Sequence, residues 1–155
     1  PAPPPPAPPP RHYFVYPDGT YRYYDKRHLF SFGGENRLYR QGVSPCVVEY
    51  KGVRLLLQTC YDLRFPVFSR NCGGCYDVAV YVASWPKSRI SAWDTLLQAR
   101  AIENLAYVVA GKPGGGGGGG GGGGTCGRSP PQPCRRLSGP HCHGCSRQRR
   151  GRCRG

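Results

Sequence analysis

The chain has 155 residues, with 22 Lys+Arg against 8 Asp+Glu and a formal net charge of +14. That is one domain's length, and no apolar run approaches the ~20 residues needed to cross a bilayer as a helix. The charge is uneven: residues 11–112 hold 14 basic and 8 acidic side chains, while 113–155 hold 8 Arg and no acid. A mildly basic centre suits an acidic small molecule, and the basic tail attracts polyanions without specificity.

Residues 1–10 are eight prolines and two alanines, a polyproline II or disordered segment. Tyr13-Phe14-Val15-Tyr16 predicts a strand, Pro17-Asp18-Gly19-Thr20 a turn, and residues 21–24 a returning strand. Residues 26–43 form a polar, Gly-bearing loop long enough to be functional. Two strands at 46–50 and 53–59 flank Lys51-Gly52, a hairpin signal. Pro66 predicts a first helical turn within 65–71. Residues 77–83 predict a buried strand. Residues 90–105 carry the helical period, with Ser91 or a near neighbour as cap and Trp93, Leu96, Leu97, Ala101, Ile102 and Leu105 as the apolar face. Residues 106–110 predict a last strand. The order is that of an α/β domain spanning 11–112. Residues 113–155 contain eleven consecutive glycines and then Arg, Pro, Ser and Cys with little that is apolar. They are expected to be disordered or the product of a reading-frame slip in a GC-rich gene. No secretory leader pattern is visible, so the compartment is read as the cytoplasm with reduced core thiols.

Cys60 closes the apolar run 53–59 and precedes a change of direction. A thiol held by a strand end, with backbone N–H groups behind it, is suited to nucleophilic attack. Lys26 could lower its pKa or hold an oxyanion, and Glu35 is a candidate carboxylate for proton transfer. Read as strings, Tyr-Asp-Lys-Arg-His-Leu-Phe (24–30), Gly-Glu (34–35) and Cys-Tyr-Asp-Leu-Arg-Phe-Pro (60–66) resemble the nitrilase superfamily of carbon–nitrogen hydrolases. Residues 76–86 and 96–109 continue the resemblance, which is to the ω-amidase branch acting on 2-oxo acid amides such as 2-oxoglutaramate.

The resemblance implies a four-layer α-β-β-α sandwich, here as a central fragment, with a Glu-Lys-Cys triad and neither metal nor cofactor. Cys60 matches the nucleophile and Lys26 the triad lysine. The Tyr61 N–H would share the oxyanion with Lys26, and Glu35 would support the lysine. Arg64 would pair with a carboxylate and hold the nucleophile turn, and Trp85 would line the acyl pocket. The partners implied are a small-molecule amide and, for the complete protein, a second copy in a homodimer, with no specific nucleic acid and no membrane. The general-base glutamate of that family lies upstream of the lysine, yet residues 1–25 contain no Glu. The chain as written is therefore expected to be inactive. A truncated sandwich is also expected to leave strand edges unpaired and a sheet face bare.

Two features stand apart. Cys142-His143-Gly144-Cys145, with His141, Cys126, Cys134 and Cys153, has one half of a zinc-ligand spacing but lacks a clean second half. Cys72-Gly73-Gly74-Cys75 reads as a surface linker. The competing functional class is a non-catalytic interaction or polyanion-binding protein that uses the Arg-rich tail.

Overall fold

The computed structural model describes residues 7–111. Strands β1 (Arg11–Val15) and β2 (Tyr21–Asp25) pair antiparallel from Arg11↔Asp25 to Val15↔Tyr21. Their turn is closed by Asp18, whose Oδ1 accepts from the Thr20 N–H at 2.9 Å and from the Thr20 hydroxyl at 2.6 Å. Strands β3 (Cys46–Tyr50) and β4 (Val53–Thr59) form a second hairpin. Both its turn residues, Lys51 and Gly52, have positive φ, which matches the twist of the flanking strands. Strands β5 (Val78–Val82) and β6 (Tyr107–Gly111) then add in parallel, giving a four-stranded sheet of order β3-β4-β5-β6.

Alternation along β4 sends neighbouring leucines to opposite faces. Leu56, Ala79, Tyr81 and Val108 meet Trp93, Leu97 and Ala101 of helix α2 (Ile90–Asn104), which crosses between β5 and β6. Leu57 and Val48 meet Tyr24 of the first hairpin, with Phe14, Leu55, Phe68 and Val80 around them. Burying one such Leu-sized side chain contributes about 1.5–3 kcal/mol. The described residues thus stack as helix, sheet and hairpin, and a second helical layer is not found among them. On the hairpin side of β5 and β6, Val82 and Val109 remain 37% and 45% exposed, a face the hairpin does not reach.

Several expectations change. No helix forms at 65–71. A 3-10 helix, Cys60–Arg64, begins directly after β4, and Phe65 leaves it with φ −118 and ψ 84. Pro66 drives its predecessor out of helical geometry, so it ends a helix here and does not start one. The 26–43 loop contains a 3-10 turn, Ser31–Gly33, and a one-turn helix α1 (Glu35–Leu38). The cap of α2 is the neighbour Arg89 and not Ser91 itself, because a 3-10 turn at Lys87–Arg89 leads straight into Ile90. Ile102 and Leu105 face solvent, while Arg100 and Asn104 turn inward to hold backbone: Arg100 Nη2 donates to the Leu63 carbonyl at 2.6 Å, and Asn104 Oδ1 accepts from the Asn71 N–H at 2.8 Å.

Candidate active site

Cys60 occupies the point where β4 becomes the 3-10 helix, with φ +47. A left-handed conformation at a non-Gly residue costs about 1–3 kcal/mol and persists only where neighbours impose it. Here the neighbour is Asp62, which has no solvent exposure. Its Oδ2 accepts from the Thr59 N–H at 3.0 Å, the reach-back half of a capping box, and from the Tyr24 hydroxyl at 2.9 Å. Its Oδ1 accepts from the His28 N–H at 2.9 Å and meets His28 Nδ1 at 2.8 Å. One carboxylate therefore binds the Cys60 turn to the segment that carries Lys26. Burial, and then the Asp62 charge, push the Tyr24 phenol far above its ordinary pKa, so it stays protonated and donates. The Tyr24 oxygen also accepts from the Arg27 N–H at 3.0 Å. His28 stacks flat on Phe65, with ring centroids 3.8 Å apart, and closes the turn from the outside.

Lys26 is 2% exposed. Its Nζ lies 2.9 and 2.6 Å from the two oxygens of Glu35, and Glu35 Oε2 also accepts from the Phe30 N–H at 2.8 Å. A buried ammonium is stable only with such a partner. The Lys26 backbone is fixed as well, its N–H donating to the Pro10 carbonyl at 2.9 Å and its carbonyl accepting from the Gly42 N–H at 2.7 Å.

Cys60, Lys26 and Glu35 line one open cleft of about 610 Å3, with Pro10, Thr59, Val82, Ala83, Ser84 and Gly111. The Cys60 sulfur lies 3.7 Å from the Ser84 carbonyl. Burial pushes the Cys60 thiol up, while the Lys26 charge and a hydrogen bond from the Tyr61 N–H pull it back. The site can thus present a nucleophile, a cation and an N–H donor at one place.

Two candidates fall elsewhere. The Trp85 indole donates to the Arg89 carbonyl at 2.8 Å and packs on Trp93 at 4.9 Å, and it is not among the cleft-lining residues. Arg64 is exposed, and its guanidinium lies 5.4 Å from the Trp85 ring centre. Among the described residues it pairs with that ring and with no carboxylate. The turn is held by Asp62, and Arg100 grips its Leu63 carbonyl. Tyr61 is likewise not among the cleft-lining residues: its ring packs edge-on to Phe30 and Phe65, and its N–H addresses the Cys60 sulfur. Sequence reasoning missed Asp62, Tyr24 and His28, although the Thr59-x-x-Asp62 spacing carried a capping signal. No group of three or more His, Cys, Asp or Glu that could hold a metal occurs among the described residues. The zinc reading of His141, Cys142 and Cys145 lies outside them. No described helix is long and apolar enough to cross a membrane.

The family description "Carbon-nitrogen hydrolase" matches residues 11–130. The chain belongs to the carbon-nitrogen hydrolase family. Omega-amidase YafV of Yersinia enterocolitica is 56% identical over 104 residues, covering 67% of this chain and 40% of that protein. The 2-oxoglutaramate amidase of Paenarthrobacter nicotinovorans is 44% identical over 100 residues, covering 60% of this chain and 34% of that one. Among solved structures, a CN-hydrolase superfamily protein from Xanthomonas campestris, with an arsenic adduct in its active site, superposes with a TM-score of 0.64. It is 50% identical and covers 66% of this chain and 41% of that chain. The sheet and α2 thus follow the nitrilase-superfamily fold. This carbon-nitrogen hydrolase chain spans about two-fifths of the length of curated relatives such as the Yersinia protein.

Proposed function

We propose that this chain carries the nucleophile half of an amidase site that cleaves the amide of a small 2-oxo acid. The observation that carries the reading is the cleft shared by Cys60 and the buried Lys26–Glu35 pair. Cys60 Sγ attacks the amide carbon, and the oxyanion is received by the Tyr61 N–H and the Lys26 ammonium. The C–N bond breaks as the nitrogen takes a proton, and ammonia leaves. Water then adds to the thioester, the C–S bond breaks, the carboxylic acid departs and the thiol is restored. The ω-amidase and 2-oxoglutaramate amidase relatives support the substrate class.

The thiol, raised by burial, needs a proton acceptor. Glu35 is committed to Lys26 through both oxygens, and residues 1–25 offer no other Glu. In this reading Glu35 holds Lys26 in place, and the general base comes from a segment these residues do not include. The competing reading, a non-catalytic interaction protein, is favoured by that same missing Glu. Ammonia release from 2-oxoglutaramate separates the two. The 155-residue chain should release none above a Cys60→Ser control. A chimera that joins residues 11–111 to the flanking parts of the Yersinia omega-amidase should turn over, and Cys60→Ser in that chimera should abolish turnover. An inactive but folded chimera would sink the amidase reading.

A further inference from the structure

Cys72 and Cys75 sit at the opposite end of β4 from the cleft, in the loop that leads into β5. Gly73 and Gly74 both have positive φ, +63 and +67, the signature of a tight reversal that only glycines make without strain. A disulfide needs Cα atoms about 4.4–6.8 Å apart, and two positive-φ glycines between the cysteines fold the chain back towards that spacing. The Cys75 sulfur already lies 2.7 Å from the Cys72 carbonyl. Both cysteines are half-buried, so a small reagent can reach them while the turn stays fixed.

The surroundings add a cation. Arg54, on β4, donates from Nη1 to the Gly74 carbonyl, next to Cys75, and pairs with Asp77 through Nε at 3.0 Å and Nη2 at 2.6 Å. Its guanidinium is held above the ordinary value chiefly by the Asp77 hydrogen bonds, with the Cys75 charge among the smaller contributions. At rest the Cys75 thiol donates to the Cys72 carbonyl, and the neighbouring guanidinium is the cation placed to stabilise the thiolate once that bond breaks.

We propose that Cys72-Gly73-Gly74-Cys75 is a dithiol redox site, with Cys75 as the Arg54-assisted attacking thiol and Cys72 as the resolving one, acting on low-molecular-weight disulfides. Cys75 thiolate attacks one sulfur of the small disulfide, forms a mixed disulfide and releases one thiolate. Cys72 thiolate then attacks the Cys75 sulfur, the second small thiolate leaves, and the Cys72–Cys75 bond closes. The small disulfide is reduced to two thiols, which take the two protons lost by the protein. Asp77 joins loop to sheet, its N–H donating to the Arg54 carbonyl at 2.9 Å and its carbonyl accepting from the Tyr107 N–H at 3.0 Å. Closure therefore acts at the start of β5 and β6, not in the cleft.

The test is direct because trypsin releases residues 71–87 as one peptide in which Cys72 and Cys75 are the only cysteines. The full chain is exposed to oxidised glutathione, quenched with acid, alkylated and mapped by mass spectrometry. The 71–87 peptide should appear two hydrogens lighter and refuse the alkylating reagent. Cys72→Ser should trap one glutathione on Cys75. Arg54→Gln should close roughly threefold more slowly or worse at neutral pH. The folded chain should close roughly tenfold faster than the same chain in urea, because the turn is preformed. Two separate glutathione adducts on the peptide, no reaction, equal rates with Arg54→Gln, or equal rates in urea would each overturn the assignment.

Discussion

Two carboxylates hold the two ends of β4, and they do so under opposite conditions. Asp62, at the Cys60 end, has no solvent exposure and accepts from Thr59, Tyr24 and His28. Asp77, at the Arg54 end, is 41% exposed and faces a guanidinium that is 43% exposed. Both are hydrogen-bond hubs on paper. Water competes at one end and is excluded at the other, so the same chemistry carries different weight. The cleft is built at the dry end, where positions can be imposed on a strained residue.

The contrast can be broken at four places, in descending size. Asp62→Ala leaves buried donors from Tyr24, His28 and Thr59 without an acceptor. It should cost about 3–5 kcal/mol by urea unfolding and release Cys60 from its left-handed conformation. Tyr24→Phe removes one donor to Asp62 and the acceptor of the Arg27 N–H. A loss of about 1.5–3 kcal/mol is expected in the same assay. A loss as small as that of an exposed pair would contradict the weight given to the dry end.

The third is a pH effect at that end. His12 is buried on β1 and donates from Nδ1 to the Gln58 carbonyl, 3.1 Å away. Burial lowers its pKa below 6.5, only partly opposed by that carbonyl. As pH falls through 6.5 the unfolded chain takes up a proton that the folded chain resists, so stability should fall with pH in that window. His12→Gln should flatten this part of the stability–pH curve. The smallest effect is expected at the wet end, where Asp77→Ala should cost less than about 1 kcal/mol. Arg54 holds the Asp77 carboxyl below its ordinary 3.8, so its contribution is present above that value and fades as pH falls through the lowered one. An Asp77 loss as large as that of Asp62 would erase the distinction.

The dry end was also the harder one to read from sequence. The Lys51-Gly52 hairpin and the alternation of 53–59 announce themselves locally, and the register follows from them. Cys60, Lys26 and Glu35 were visible because their residue types and neighbouring strings carry chemistry. Asp62 was not, because the Thr59-x-x-Asp62 spacing is its one local cue and its other partners, His28 and Tyr24, lie 34 and 38 residues away. Arg64 drew the structural role that Arg100 performs, since an exposed and a buried arginine look alike in a string. Pro66 misled for a related reason: proline suits a first helical turn, but it also forbids helical geometry just before it. Which effect prevailed was decided by the Thr59–Asp62 contact that starts the helix six residues earlier.

Gly42 shows how the site comes together in time. Its N–H reaches the Lys26 carbonyl, its carbonyl accepts from Arg27 Nη1 at 3.1 Å, and a Cβ there would run into the Asp25 carbonyl. Residues 26–42 thus form a ring closed at the base, and Lys26 and Glu35 are nine residues apart within it. Loops of about ten residues close in roughly 10–100 ns, well before distant strands find register. Cys60 must wait for β4 and for the Asp62 contacts across 34 residues. The cation and its carboxylate are therefore expected to be in place before the thiol arrives, so that pulsed alkylation during refolding should find Cys60 protected only after the 26–42 ring has formed.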